Sequence, residues 1–309
     1  MSASAIGERI ADWYARGHRE LPWRASGYPA WGILVSEFML QQTPVARVIP
    51  RLAEWLERWP TPADLAAVPP GEAVRAWDRL GYPRRALALH GAATAIAEHH
   101  DNVVPSEVDT LLALPGVGPY TARAVAAFAY GVRTPVVDVN ARRVMARAVD
   151  GEGEAGPARP RHELSAMEAL LPEDAERARL VNAGVMELGQ TVCLARTPRC
   201  AACPIADLCA WRSAGYPEYT GRPAPRQKPY AGSDREVRGR IMRVVRAGDI
   251  PVPLAEIEGL WPDAIQRERA LTGLLRDGLI TGNRPRATSA GGTSRSTRTP
   301  GRTDELPRS

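Results

Sequence analysis

This sequence predicts an all-α fold class, and three observations support that expectation. Apolar residues recur at helical spacing through the first 220 residues, beginning with Ile6, Ile10, Trp13 and Tyr14. Strand candidates are few, and no strand–helix–strand alternation is visible. The breaks between segments are short and rich in Pro and Gly, as expected for short helices joined by short connections. No repeat of fixed period is present.

The elements follow in order. Residues 6–15 read as an amphipathic helix, followed by an irregular turn, Leu21-Pro22-Trp23-Arg24. Residues 30–42 are a strongly apolar helix candidate, and 44–59 are another. Helical segments at 63–68, 71–80, 84–99 and 107–113 are separated by Pro60-Thr61-Pro62, Pro69-Pro70-Gly71, Gly81-Tyr82-Pro83 and Val104-Pro105. Residues 119–130 form a helix with Pro at its first position and Gly118 before it. A helix at 139–149, a Gly/Pro/Glu loop at 151–160 and two helices within 162–188 complete this part. Residues 216–232 read as a linker. Residues 233–282 read as a small winged-helix-like module, with helices at 236–246, 252–260 and 264–276 and a turn into a short strand over 277–280. Residues 283–309 are Ser, Thr, Arg, Gly and Pro, a composition that predicts disorder.

With 44% apolar and 24% charged residues, the 309-residue chain is neither wholly disordered nor a disulfide miniprotein. No apolar run is long enough to span a membrane, and no secretory signal is read at the N-terminus, so a cytoplasmic location is expected. Charge is uneven. Residues 221–309 hold 17 basic and 10 acidic residues, and residues 1–220 hold 23 and 25. The basic end fits either a polyanionic partner or a solvated tail. Of 40 basic residues only Lys228 is a lysine, so no lysine Schiff base can form in the first 227 residues.

Cys193, Cys200, Cys203 and Cys209 are the chain's four cysteines, spaced C-x6-C-x2-C-x5-C. A metal site is the better reading in a reducing compartment, and the spacing admits either zinc or an iron–sulfur cluster. Leu114-Pro115-Gly116-Val117-Gly118-Pro119 lies between two helix candidates. Such a turn aims backbone N–H groups at an anion such as a DNA phosphate; an ordinary helical hairpin would use glycine there too.

Two carboxylates stand out. Glu37 is the sole charged residue in Ala30–Leu40, and its neighbours one turn away are Ile33, Leu34, Leu40 and Gln41. Apolar surroundings raise a carboxyl's pKa and suit it to general-acid work; the competing reading is an exposed helix stripe. Asp138 follows the extended piece Thr134-Pro135-Val136-Val137 and precedes a helix, where it can cap the helix and still face a cleft.

Together these residues resemble the helix-hairpin-helix DNA glycosylases that carry an iron–sulfur cluster, and within them the adenine DNA glycosylase family. The resemblance rests on Leu21-Pro22-Trp23-Arg24, Val35 through Thr43, Leu80-Gly81-Tyr82, Leu114 through Thr121, Val137 through Val144, Glu187-Leu188-Gly189 and the four cysteines. It covers residues 5–215 and implies a glycosylase domain at 1–215. It resolves the metal as a 4Fe-4S cluster. The related endonuclease III family has Lys where this chain has Tyr120 and lacks a counterpart of Glu37, so base removal without strand cleavage is implied.

The implied reaction is excision of adenine opposite 8-oxoguanine or guanine in double-stranded DNA, by a monomer associated with the nucleoid. Glu37, Asp138 and Tyr120 are the implied catalytic residues. Trp23, Arg24, Leu40, Gln41, Gln42, Thr43 and Val45 match pocket and lesion-side positions, and Tyr82 matches an aromatic wedge. Gly116, Val117 and Gly118 match the phosphate-holding turn, and Arg196 and Arg199 match cations presented to DNA. The chain departs from the family at Ala183, where a residue touching the adenine edge is common. It also has only two phenylalanines, Phe38 and Phe128, so the Phe-Ser-His loop of a Nudix-like 8-oxoguanine reader is absent in its usual form. The alternatives are a thymine or uracil mismatch glycosylase on the same scaffold and a non-catalytic iron–sulfur DNA-binding protein.

Overall fold

The structure, a computed structural model, describes residues 3–223, 229–248 and 250–282. The chain runs through α1 (Ala3–Arg16), α2 (Ala30–Leu40), α3 (Val45–Arg58), α4 (Pro62–Ala66), α5 (Pro70–Trp77), α6 (Arg84–His99), α7 (Val108–Leu112) and α8 (Pro119–Tyr130). It continues through α9 (Val139–Ala148), α10 (Pro160–Glu168), α11 (Ala175–Thr191), α12 (Ala210–Ser213), α13 (Asp234–Arg246), α14 (Leu254–Glu258) and α15 (Ala264–Arg276). Short 3₁₀ turns occupy Pro22–Arg24, Asp78–Leu80 and Cys200–Ala202, and no strand occurs among the described residues.

Local chemistry sets several helix ends. Thr61 and Asp64 form a reciprocal capping box over α4, with Pro62 at its first position. Asp138 caps α9 by accepting from Asn140 N and Ala141 N, and Asp174 caps α11 by accepting from Arg177 N. Gly131, at φ 66°, ends α8 in the left-handed conformation.

Two apolar cores organise the helices. The first gathers α2, α3, α5, α6 and α8 around Trp55, Trp77, Phe38 and Leu89. The second packs α1, α9, α10 and α11 and takes in the cysteine loop through Ile205. Extended residues 134–137 link the two, held by Asn182: its Oδ1 accepts from Val136 N at 2.9 Å and its Nδ2 donates to Thr134 O at 3.0 Å. α9 and α11 approach so closely that a Cβ at Gly189 would lie 2.8 Å from Asn140 O.

The C-terminal helices do not stand apart. Val237, Ile241, Met242, Ile257 and Leu274 belong to the same apolar cluster as α2 and α6. Arg246 Nη1 donates to Asp78 O at 2.6 Å, which pins α13 to the turn before Tyr82. Leu279 and Ile280 do not form the expected strand. The Leu279 side chain is buried in the first core, and no second strand exists among the described residues to pair with it. The expected disordered tail, 283–309, lies outside the described residues, as do linker residues 224–228. No helix among the described residues is long and apolar enough to cross a membrane.

The hairpin α7–turn–α8 depends on Gly116, at φ +74°, where a Cβ would sit 2.4 Å from Ala88 Cβ. Gly116→Ala is expected to lower stability by about 1–3 kcal/mol through backbone strain and overpacking. A lower urea midpoint with an unchanged slope checks this.

Candidate active site and cluster loop

Glu37 lies in a helix whose residues 31–39 are all buried, and it is itself 5% exposed. Burial raises its carboxyl to about 7; a hydrogen bond from the Tyr120 hydroxyl pulls the other way, and the Asp138 carboxylate adds to the rise. Tyr120 comes from the first turn of α8 and is half-buried; burial, with Glu37 and Asp138 beside it, raises its hydroxyl pKa well above the ordinary value. Asp138 also titrates high because of burial, although Ala141 N, the Asn140 side chain and Asn140 N donate to it and favour its charged form. Three elements, α2, α8 and the α9 N-terminus, thus bring Glu37, Tyr120 and Asp138 together between the two cores.

A hydrogen-bond chain leads away from Asp138. Asn140 Nδ2 donates to Asp138 Oδ2 at 2.8 Å, and Arg143 Nη2 donates to Asn140 Oδ1 at 2.8 Å. Arg143 Nε then donates to Cys193 O at 2.7 Å. Asn140 and Arg143 carry no expected role in the sequence pattern; their spacing of two and five residues from Asp138 is the signal it holds.

The other expected site residues fall into three groups. Tyr82 is exposed, in a left-handed turn at φ 48°, and Gln42 is exposed at φ 56°. Arg196 and Arg199 are exposed on the cysteine loop, and Gly116 and Gly118 flank the α8 N-terminus, whose first N–H groups have no intrahelical acceptor. Trp23 is half-buried in the Pro22–Arg24 turn, packed against the first core, and Leu40, Gln41 and Val45 are half-buried around the C-terminal end of α2. Three residues turn inward. Thr43 is 7% exposed and its hydroxyl donates to Leu80 O at 3.0 Å. Val117 is 7% exposed in the first core, with its N–H bonded to Leu114 O. Arg24 Nη2 donates to Glu187 Oε2 at 2.9 Å, so its guanidinium braces the Leu21–Arg24 turn against α11. Arg19 grips the same carboxylate at 2.7 Å through both Nε and Nη2. Burial alone would raise the Glu187 carboxyl, but the two arginines together hold it at about 2.

Cys193, Cys200, Cys203 and Cys209 are free, half-buried thiols lining one cavity with an almost wholly apolar wall. Among the described residues no three His, Cys, Asp or Glu side chains converge as they would around a single ion. Burial pushes the Cys203 thiol up to about 11. Buried Arg147 braces the loop: its Nη1 donates to Cys193 Sγ at 3.4 Å, and its other donors bind Gly153 O, Leu194 O and Ala195 O. The donor set and the cavity fit the iron–sulfur group.

A hairpin over an acid, a tyrosine and a second carboxylate, with a four-cysteine loop behind, defines a class. Residues 35–166 match the HhH-GPD superfamily of base excision DNA repair proteins, and residues 193–209 match the iron–sulfur binding domain of endonuclease III. A solved thermostable thymine-DNA glycosylase shares the fold, with a TM-score of 0.62 and 26% identity over 69% of this chain and 97% of that one. More particularly, the chain is 55% identical to an adenine DNA glycosylase of Mycobacterium tuberculosis over 87% of its length and 88% of the relative's. It is 53% identical to the adenine DNA glycosylase of Mycolicibacterium smegmatis over 91% and 93%. The chain belongs to the adenine DNA glycosylase family: it is a base-excision-repair glycosylase, a DNA-acting hydrolase with a 4Fe-4S cofactor.

Two outcomes are expected. The purified chain absorbs at about 400 nm and carries about four irons, and Cys203→Ala loses both. Glu187→Gln costs about 3–5 kcal/mol at neutral pH, because it leaves two guanidiniums without their carboxylate. The Glu187 carboxylate, with its folded pKa of about 2, stabilises the fold above the unfolded value of about 4.3 and stops doing so as pH falls toward 2. Urea titrations should therefore show the gap between parent and variant narrowing from pH 7 toward pH 3.

Proposed function

We propose that the chain removes adenine mispaired with 8-oxoguanine or guanine from duplex DNA, hydrolysing the N-glycosidic bond without nicking the strand. The observation that carries this reading is the buried Glu37 carboxyl, raised to about 7, facing Tyr120 and Asp138 where a lyase of the same fold would place a lysine.

The base is extruded into the pocket, and Tyr82 enters the stack beside the lesion base. Glu37 donates its proton to adenine N7. The C1′–N9 bond breaks, its electron pair leaves with neutral adenine, and the sugar becomes oxocarbenium-like. Asp138 stabilises that cation, by charge or by a transient bond at C1′. Glu37, now a carboxylate, takes a proton from water, and the oxygen attacks C1′. Tyr120 orients Glu37 and lines the sugar site. Gly116 and Gly118 hold a phosphate at the α8 N-terminus. Trp23, Leu40, Gln41, Gln42, Thr43 and Val45 shape the pocket and its lesion side. Cys193, Cys200, Cys203 and Cys209 hold the cluster, which when bound fixes the loop that presents Arg196 and Arg199; no step of base removal runs through it.

We divide the chain into a catalytic domain at 1–215, a linker at 216–232, a C-terminal helical module at 233–282 and a tail at 283–309. It acts as a cytoplasmic, nucleoid-associated monomer.

Single-turnover assays on duplexes holding A opposite 8-oxoguanine, A opposite G and T opposite G test the reading. Free adenine from the first two, with the strand intact, is expected; release of thymine, or a borohydride-trapped protein–DNA adduct, would overturn it. Glu37→Gln slows adenine release by about 10²–10⁴-fold. Because the working form is the protonated acid, the single-turnover rate falls as pH rises through about 7. The same raised pKa means the folded state binds more protons than the unfolded one, so stability falls as pH rises from about 4.3 toward 7. Glu37→Gln is therefore more stable than the parent at pH 8.

A further inference from the structure

Arg85, in the first turn of α6, is 8% exposed and forms no ion pair among the described residues. A buried charge without a counter-ion is costly, and an apolar side chain would fill such a site more cheaply. What surrounds it is backbone oxygen from two separate segments. Nη1 donates to Phe38 O at 2.7 Å, Met39 O at 3.1 Å and Gln41 O at 2.5 Å, at the C-terminal end of α2. Nη2 donates to Leu80 O at 3.2 Å and Gly81 O at 2.9 Å, in the turn that carries Tyr82. Nη2 also reaches Thr43 Oγ1 at 3.1 Å, and that hydroxyl in turn donates to Leu80 O. The guanidinium carbon lies 5.2 Å from the Trp77 ring centroid and 5.6 Å from that of Tyr82.

The placement is specific. Phe38 and Met39 directly follow Glu37, so their carbonyls move with the acid's own helix. A cation at the α2 C-terminus also meets the negative end of the helix dipole. Leu80 and Gly81 directly precede Tyr82, whose backbone is held at φ 48°. A planar five-donor fork can span both segments; a lysine ammonium, with three donors at one point, cannot. Nε is buried with no acceptor, so the group is held for its two outer nitrogens at the expense of the third.

We propose that Arg85 is a positioning residue that couples the Tyr82 turn to the Glu37 helix, so that seating of the aromatic wedge in duplex DNA and seating of the acid occur together. Strain on the Tyr82 turn reaches the end of α2 through one rigid guanidinium. The proposal rests on the roles given above to Glu37 and Tyr82.

The test is a double-mutant cycle in the full-length, cluster-loaded chain: parent, Tyr82→Ala, Arg85→Lys and the double variant, read as single-turnover adenine release from a duplex with A opposite 8-oxoguanine. Arg85→Lys should lose about 10²-fold, the scale of a small misplacement of a reacting group. Tyr82→Ala should lose about tenfold in the parent and less than about twofold on top of Arg85→Lys. Multiplicative losses, the signature of a merely structural role, would overturn the coupling. Hydrogen exchange on the DNA-free proteins gives an activity-independent readout. Arg85→Lys should deprotect amides 38–43 and 80–84 together and leave α11 unchanged; deprotection of only one segment would overturn the proposal. Should Arg85→Lys fail to fold, Thr43→Val, which removes only the hydroxyl link, replaces it in the exchange arm: joint deprotection of 38–43 and 80–84 is expected, and deprotection of one segment alone would overturn the proposal. If the parent releases no adenine, the function proposed above fails, while the exchange arm still decides whether Arg85 joins the two segments.

Discussion

Glu37 sits on a helix buried on every side, and no cation pairs with it among the described residues. Water cannot solvate its ionised form, so the carboxyl stays protonated to about neutral pH. The rest of the architecture serves that condition. α2 runs through the first core rather than along its surface, α8 arrives with a tyrosine, and the extended stretch before α9 delivers Asp138. The second carboxylate has a different environment: helix-capping N–H groups and Asn140 stabilise its charge even as burial opposes it. Two carboxyls made unlike by their surroundings can do unlike work, one giving a proton and one holding charge.

Arginine carries an unusual share of the structure. Arg85 and Arg147 are buried cations solvated mainly by main-chain carbonyls, and Arg143 uses the same means beside Asn140. Each joins segments far apart in the chain: the α2 end to the Tyr82 turn, α9 to the cysteine loop, α9 to the end of α11. A chain with one lysine among 40 basic residues has this option throughout, because a guanidinium offers several directed donors at once. The Arg19–Glu187–Arg24 cluster is the more familiar form, with two guanidiniums sharing one buried carboxylate.

The C-terminal helices illustrate how far composition can separate what packing joins. The Pro- and Gly-rich stretch after residue 215 sets them off in the sequence, yet their apolar faces complete the first core, and Arg246 binds the carbonyl of Asp78. They lie against the turn that carries Tyr82, where Arg235 reaches the Tyr82 hydroxyl at 3.3 Å.

What the sequence determined by itself was local. Helical periodicity, Pro and Gly punctuation and capping aspartates act over a few residues, and the observed helices follow them closely from α1 to α11. The four sulfurs, an acid alone in an apolar run and an aspartate before a helix were legible for the same reason: each is defined by its immediate neighbours. Tertiary structure decided where long side chains spend their donors. Nothing near Arg24 in the chain points to Glu187, 163 residues away, and nothing marks Arg85 among the other arginines as the one that meets both Phe38 and Gly81. Val117 turned to the core, and 277–280 formed no strand, because a side chain's direction and a strand's partner depend on distant surfaces. Short-range chemistry writes the elements and labels the reactive groups; only packing across the whole chain chooses which charges face solvent and which hold the fold together.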